Sequence, residues 1–208
     1  IMLWQHALLN PDRIIGLINM SVPFKAREPA EPVAFWEKML GKDFYLVHFN
    51  RHPEVAARSF DTNPKRVLTN LYRTKHWLEK GAFQPDGYNI VRSAEVDNSR
   101  GELMLSEQDL MVFVEAFAQG GFVAPCNWYR NFTRNWETMA HVKQTIALPS
   151  LMIYGDYDMV PKVDMTDTVF DLEVKTLACG HWIQQEEPEK TNQILLEWLE
   201  RKIKPLLS

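Results

Sequence analysis

Leu151-Met152-Ile153-Tyr154-Gly155-Asp156-Tyr157-Asp158 is the stretch whose reading decides the fold. Apolar residues in an unbroken run, closed by glycine, predict a short strand buried on both faces, as in a parallel sheet. Two carboxylates follow directly. Another strand is predicted over residues 172–177, and Cys179-Gly180-His181-Trp182 comes after it. A carboxylate past one parallel strand and a histidine past the next meet at the C-terminal edge of the sheet, where ligands bind in open α/β sheets. Such a pair makes a general base: the Asp fixes the imidazole tautomer and stabilises the imidazolium, while the ring takes a proton. Asp158 is the better acid, because Asp156 sits immediately after the glycine of the strand and is expected to be solvated. The bland alternative makes Asp158 a turn former and His181 a loop histidine.

Outward from this centre, residues 188–202 have the period of an amphipathic helix with Ile194, Leu195, Trp198 and Leu199 inward. On the N-terminal side, the apolar run 14–20 predicts another strand covered on both faces. A helix over residues 1–10 precedes it, with Met2, Leu3, His6, Ala7 and Leu9 to one side and Asn10-Pro11-Asp12 as its stop. The middle of the chain has a different texture, with helices expected over 33–40, 53–60, 64–71 and 107–119. Ser106 with Asp109 gives the last of these a capping-box-like start, and Gly120-Gly121 ends it. The expected organisation is a first α/β piece (1–24), a helical insertion (25–146) and a second α/β piece (147–208).

Composition narrows the classes of function. Of 208 residues, 46% are hydrophobic, 24% charged and 12% aromatic, with 9 Gly and 12 Pro, which excludes disordered and collagen-like chains. A count of 23 Lys+Arg against 27 Asp+Glu, with no basic block, argues against a nucleic-acid partner. The longest apolar stretches, 14–20 and 110–118, fall short of the roughly 20 residues of a bilayer span, so no membrane span is expected. Cys126 and Cys179 lie far apart without metal-ligand spacing, which predicts reduced, buried thiols and a cytoplasmic location. His48 and His52 share a helical spacing but have no third ligand, so no metal site is expected there. His6, His76 and His141 read as surface or core residues.

Several segments together carry a family resemblance. They are Pro11-Asp12-Arg13, Asn19-Met20-Ser21-Val22-Pro23-Phe24, Phe44-Tyr45-Leu46-Val47-His48-Phe49, Asn127-Trp128-Tyr129-Arg130-Asn131, Tyr154-Gly155-Asp156-Tyr157-Asp158-Met159-Val160-Pro161 and Gly180-His181-Trp182-Ile183-Gln184-Gln185. With these the whole chain resembles the later two-thirds of an epoxide hydrolase of the α/β-hydrolase fold. The acid and histidine motifs are shared with dehalogenases and many other α/β hydrolases; Asn-Trp-Tyr-Arg is far more specific. The resemblance implies the C-terminal part of an α/β-hydrolase core sheet with the helical insertion as its cap. By motif position it makes Tyr45 and Tyr129 the cap tyrosines that bind the epoxide oxygen, with Asp158 and His181 as acid and base. Tyr72, Tyr88, Tyr154 and Tyr157 match no such motif.

The implied chemistry is covalent, without metal or organic cofactor: an Asp nucleophile forms an alkyl ester, and His181 then activates water to release a diol. That nucleophile stands on a strand-to-helix elbow expected just upstream of Ile1. The substrate is expected to be a small apolar epoxide. Trp128 and Trp182 adjoin site residues and are candidates to line its pocket, Phe24 is a weaker one, and Trp36, Trp77 and Trp136 read more simply as packing. A homodimer is compatible with the sequence. On the same scaffold the alternatives are a haloalkane or haloacid dehalogenase, an esterase, and a non-catalytic binding protein.

Overall fold

A computed structural model describes residues 1–74, 90–97 and 101–207. His76, Trp77 and Tyr88 lie outside the described residues. The chain divides into two compact units, Ile1–Arg27 with Met139–Ser208, and Glu28–Thr138. In chain order the elements are α1 (Met2–Leu9), β1 (Leu17–Met20), α2 (Pro32–Leu40), α3 (Tyr45–Arg51), α4 (Pro53–Asp61), α5 (Pro64–Leu71), α6 (Glu107–Gly120), α7 (Val123–Asn127), α8 (Phe132–Thr138), β2 (Ser150–Gly155), β3 (Leu172–Leu177), α9 (Ile183–Glu186) and α10 (Pro188–Trp198).

The α/β unit is built on a parallel sheet in the order β1-β2-β3. Its centre is β2, every residue of which is buried, as the unbroken apolar run requires. Successive side chains go to opposite faces. Met152 and Tyr154 join Trp4, Ala7, Leu17, Phe24 and Met165, whereas Leu151 and Ile153 join Cys179, Ile183, Trp198 and Ile203. Each such side chain contributes about 1.5–3 kcal/mol on burial, so this double-sided strand anchors whatever follows its C-terminal end.

Three expectations are corrected in this unit. The strand predicted over 14–20 spans only Leu17–Met20, with Leu17 its one buried residue. Pro11–Arg13 close into a 3-10 turn before it and leave Ile15 52% exposed. Helix α1 buries Trp4 and Ala7 rather than Met2, Leu3 and Leu9, because the Trp4 indole donates to the Val22 carbonyl at 3.0 Å and stacks obliquely on Phe24. Helix α10 gives way at Leu199 to a wider, π-helical turn (Leu199–Ile203), which rotates the buried face so that Ile203 is covered and Leu199 is not.

Among the described residues the second unit is built of helices, with one isolated antiparallel bridge between Arg73 and Leu103, and local chemistry starts most of these helices. Pro opens α2, α4 and α5, where a missing N–H costs nothing. The Glu31 carboxylate accepts the N–H groups of Val33 and Ala34, and the Asn63 side chain accepts that of Arg66. Ser106 caps α6 as its sequence suggests, accepting the Asp109 N–H at 3.1 Å and donating to the Asp109 carboxylate at 2.7 Å. Gly121, at φ 66, provides the left-handed residue just past its end. The core of the unit is aromatic and small: Phe49, Phe60 and Phe122 with Ala56, Ala57, Val67 and Cys126.

The division between the units falls after Arg27 and after Thr138. Ile146 packs with Trp4, Leu17 and Met152 and bridges to Val169, so the segment leading into β2 goes with the sheet.

Candidate active site

The end of β2 is stitched to the histidine loop before any side chain takes part. The N–H of Asp156 donates to the Leu177 carbonyl at 2.8 Å, and that of Tyr157 to the Cys179 carbonyl at 3.0 Å. Gly155 permits this approach: a Cβ there would lie 2.2 Å from the Gly180 carbonyl oxygen and 2.6 Å from that of Cys179. Asp158 and His181 meet across these loops. The imidazole Nδ1 lies 3.0 and 3.1 Å from the two carboxylate oxygens. An ionised carboxylate only accepts, so Nδ1 carries the hydrogen and Nε2 is left as the basic nitrogen.

The Asp158 side chain is 1% exposed and that of His181 34% exposed. A carboxylate so completely withdrawn from water must be satisfied by hydrogen bonds, and Oδ1 also accepts the Val160 N–H at 2.9 Å. Asp156 is exposed and pairs with Lys162 at 2.7 Å, as expected of the solvated member of the two. Trp182 packs edge-on against the imidazole, with ring centroids 5.4 Å apart.

The tyrosines come together in the helical unit. Tyr45 begins α3, a helix that no capping signal announces; Tyr129 lies in the 3-10 turn Trp128–Asn131 after α7. Their ring centroids are 6.0 Å apart and the rings meet edge to face. Phe49, one turn along α3, touches both, at 5.8 Å from Tyr45 and 5.0 Å from Tyr129. Asn50 adds a directional tie, its side-chain amide donating to the Tyr129 carbonyl at 2.8 Å. Burial pushes the Tyr129 phenol above its ordinary pKa, and the Cys126 sulfur beside it acts in the same sense, so this hydroxyl stays a donor at neutral pH.

Other candidates are placed as follows. Trp128 is 64% exposed. Phe24 is buried in the core of the α/β unit, its amide donating to the Met165 sulfur at 3.1 Å. Trp36 packs edge-on against Phe132, and the Trp136 indole donates to the Glu28 carbonyl. The rings of His48 and His52 are 5.7 Å apart, and no group of three or more potential metal-ligating side chains occurs among the described residues. Cys126 and Cys179 are buried, burial pushing their thiols up to about 11 and about 12. No single helix among the described residues is long and apolar enough to cross a membrane. Asn50, Ser21 and Glu186 escaped the reading of the sequence; only the four-residue spacing of Glu186 from Trp182 hinted at a cap.

A parallel sheet with an acid after one strand, a histidine after the next and a separate helical unit defines the α/β-hydrolase fold, and the solved structures agree. Epoxide hydrolase A from Mycobacterium thermoresistibile superimposes with a TM-score of 0.82 at 27% identity, covering 95% of this chain and 65% of its own. No protein-family model matches the chain. Among curated proteins, Epoxide hydrolase 3 of Siraitia grosvenorii is 30% identical over 220 residues, covering 97% of this chain and 67% of the relative. Epoxide hydrolase A of Mycobacterium tuberculosis is 30% identical over 216 residues; 96% of this chain is matched, and it spans 65% of that relative's length. The chain belongs to the epoxide hydrolase family.

Proposed function

We propose that the intact protein hydrolyses small apolar epoxides to vicinal diols in the cytoplasm, with Glu28–Thr138 acting as the cap of the α/β core. The observation that carries this reading is the tyrosine pair, Tyr45 and Tyr129, whose rings lie 6.0 Å apart in a chain that also holds a buried Asp158 bonded to His181. Ring opening leaves negative charge on the epoxide oxygen, and a phenol is a donor that stays protonated at neutral pH. Many hydrolases need an acid and a histidine; two adjacent phenols meet the specific demand of an epoxide.

In the proposed first step a carboxylate oxygen of an aspartate, supplied by chain outside residues 1–208, bonds to one epoxide carbon. The C–O bond breaks towards the oxygen, which takes a proton from the tyrosine pair. In the second step His181 Nε2 takes a proton from water as the water oxygen attacks the ester carbonyl carbon. The acyl–oxygen bond breaks and the imidazolium returns the proton to the departing diol. The carboxylic acid left behind loses its proton to the tyrosinate, which restores nucleophile, tyrosine and histidine. Asp158, with its partner nucleophile and His181, would complete a catalytic triad. Trp182, edge-on to the imidazole, and Trp128 are proposed to line the substrate pocket.

The test is diol formation from styrene oxide by the full-length protein, lost when Tyr45→Phe and Tyr129→Phe are combined. Halide release from a haloalkane without epoxide turnover would overturn the proposal.

A further inference from the structure

The base His181 sits in a loop, yet its main chain is fixed on both sides by side chains from elsewhere. The Glu186 carboxylate accepts the Gly180 N–H at 2.9 Å through Oε2 and the Trp182 N–H at 3.3 Å through Oε1, so it spans His181 and grips both flanking amides. The Ser21 hydroxyl donates to the carbonyl of His181 itself at 2.7 Å. Ser21 directly follows β1 and lies in the left-handed region at φ 62, the one positive-φ residue other than glycine among the described residues. It is also 5% exposed. A serine held there costs backbone energy that glycine or asparagine would spare, so its hydroxyl is what the position gains.

Glu186 is equally specific. Two N–H donors converge on it, and only a carboxylate offers an acceptor to each; glutamine would turn its own NH₂ against one of them. A backbone held at the preceding N–H, at its own carbonyl and at the following N–H leaves the imidazole little freedom beyond its side-chain torsions, and Asp158 restrains those at Nδ1.

We infer that Ser21 and Glu186 are positioning residues that clamp the His181 backbone and so serve the hydrolytic half of the reaction, not the alkylation half. The inference rests on the proposed epoxide chemistry for its kinetic signature. Alkylation needs the nucleophile and the tyrosines; only hydrolysis of the ester needs the aim of His181 at water. A loosened clamp therefore slows the second step alone. For an irreversible alkylation followed by slower hydrolysis, kcat and KM then fall together while kcat/KM stays constant.

The experiment uses full-length protein carrying Glu186→Gln, Ser21→Gly and both changes, assayed with styrene oxide under steady-state and single-turnover conditions. Ser21→Gly removes the hydroxyl while easing the backbone, so loss of fold does not mask its result. Each single change is expected to lower kcat and KM together by about tenfold and the pair by about a hundredfold, with single-turnover alkylation unchanged, since misaiming a catalytic group by about 1 Å costs on that order. A fall in kcat/KM, or unchanged kcat in folded variants, overturns the inference.

An independent readout is the Nδ1–H proton resonance of His181 at low temperature, whose exchange with water is expected to quicken about tenfold in each variant as its geometry loosens. If the wild-type protein turns over no epoxide, the proposed function fails while this signal still judges the clamp. Faster exchange supports it, and an unchanged rate overturns it.

Discussion

The acid–histidine pair and the tyrosine pair are held by different kinds of force. In the α/β unit, directional hydrogen bonds from the main chain surround Asp158 and His181, and at Gly155 not even a methyl group fits. In the helical unit, Tyr45 and Tyr129 are placed by ring packing around Phe49, with one hydrogen bond from Asn50 as a tie. The difference follows from what is being positioned. A carboxylate that is 1% exposed costs far too much to bury without donors aimed at it, so its surroundings are polar and exact in geometry. A phenol brings its own apolar body, which edge-to-face contacts worth about 0.5–1.5 kcal/mol each can orient.

The largest effect comes from breaking the polar side of this comparison. If His181 is the general base of the proposed second step, replacing it with Gln is expected to lower steady-state diol formation by up to about 10⁴-fold, the upper end of what a positioned general base contributes. Alkylation continues, so intact-mass spectrometry should find the protein heavier by one epoxide. Unmodified protein with nearly normal turnover would remove His181 from the mechanism. Breaking the aromatic side gives the opposite signature. In the proposed mechanism Tyr45→Phe or Tyr129→Phe removes one donor to the developing alkoxide, and each is expected to cost about 10²–10³-fold in kcat/KM, with no accumulated ester. Should both phenylalanine variants build up ester, the tyrosines act in hydrolysis and the assignment of steps is reversed.

A smaller effect tests the scaffold beneath each pair. Gly155→Ala places a Cβ against two carbonyl oxygens, and the loops must part to admit it. A loss of about 1–3 kcal/mol is expected from such overpacking, read as a lower denaturant midpoint, together with reduced turnover. Asn50→Ala removes a single hydrogen bond from the helical unit and is expected to cost about 1 kcal/mol with a modest fall in kcat/KM. Equal losses in the two variants would deny that the polar site is the less tolerant one.

The polar site was legible in the sequence and its supports were not. Asp158 and His181 are visible because each follows a predicted strand, and parallel pairing of the two strands brings such ends together. The tyrosines are legible by motif resemblance alone; nothing in the periodicity around Tyr45 marks α3, which starts without a side-chain cap. Ser21 and His181 are 160 residues apart, and a hydroxyl-to-carbonyl bond over that distance leaves no local pattern. The inner face of α1 is hidden from the sequence for a related reason. Its own hydropathy favours no side strongly, and the choice of Trp4 over Leu3 is made by Val22 and Phe24, which arrive from beyond the following strand.

Alkaline unfolding asks whether the two units lose their structure together. Each contains one buried thiol, Cys179 in the α/β unit and Cys126 in the helical one. Burial raises Cys126 from 9.0 to about 11, with Asp61 adding to it, and raises Cys179 from 9.0 to about 12, with Glu186, Glu187, Asp158 and Asp156 adding to it. In the unfolded chain both thiols release their protons near pH 9, so above that pH the unfolded state holds fewer protons than the folded one. Stability is therefore fully present below about pH 9 and falls as pH rises, through about 11 for Cys126 and through about 12 for Cys179. Tyr129, also raised by burial, adds to the decline beyond pH 10. Thermal unfolding followed between pH 8 and 11 should show a falling midpoint, and Cys126→Ala and Cys179→Ala should each flatten it. One cooperative transition flattened equally by either change means that the units share their stability. Two transitions, each answering only to its own cysteine, mean that the tyrosine pair can be lost while the acid–histidine pair persists, and the aromatic packing is then the weaker of the two ways of holding a site.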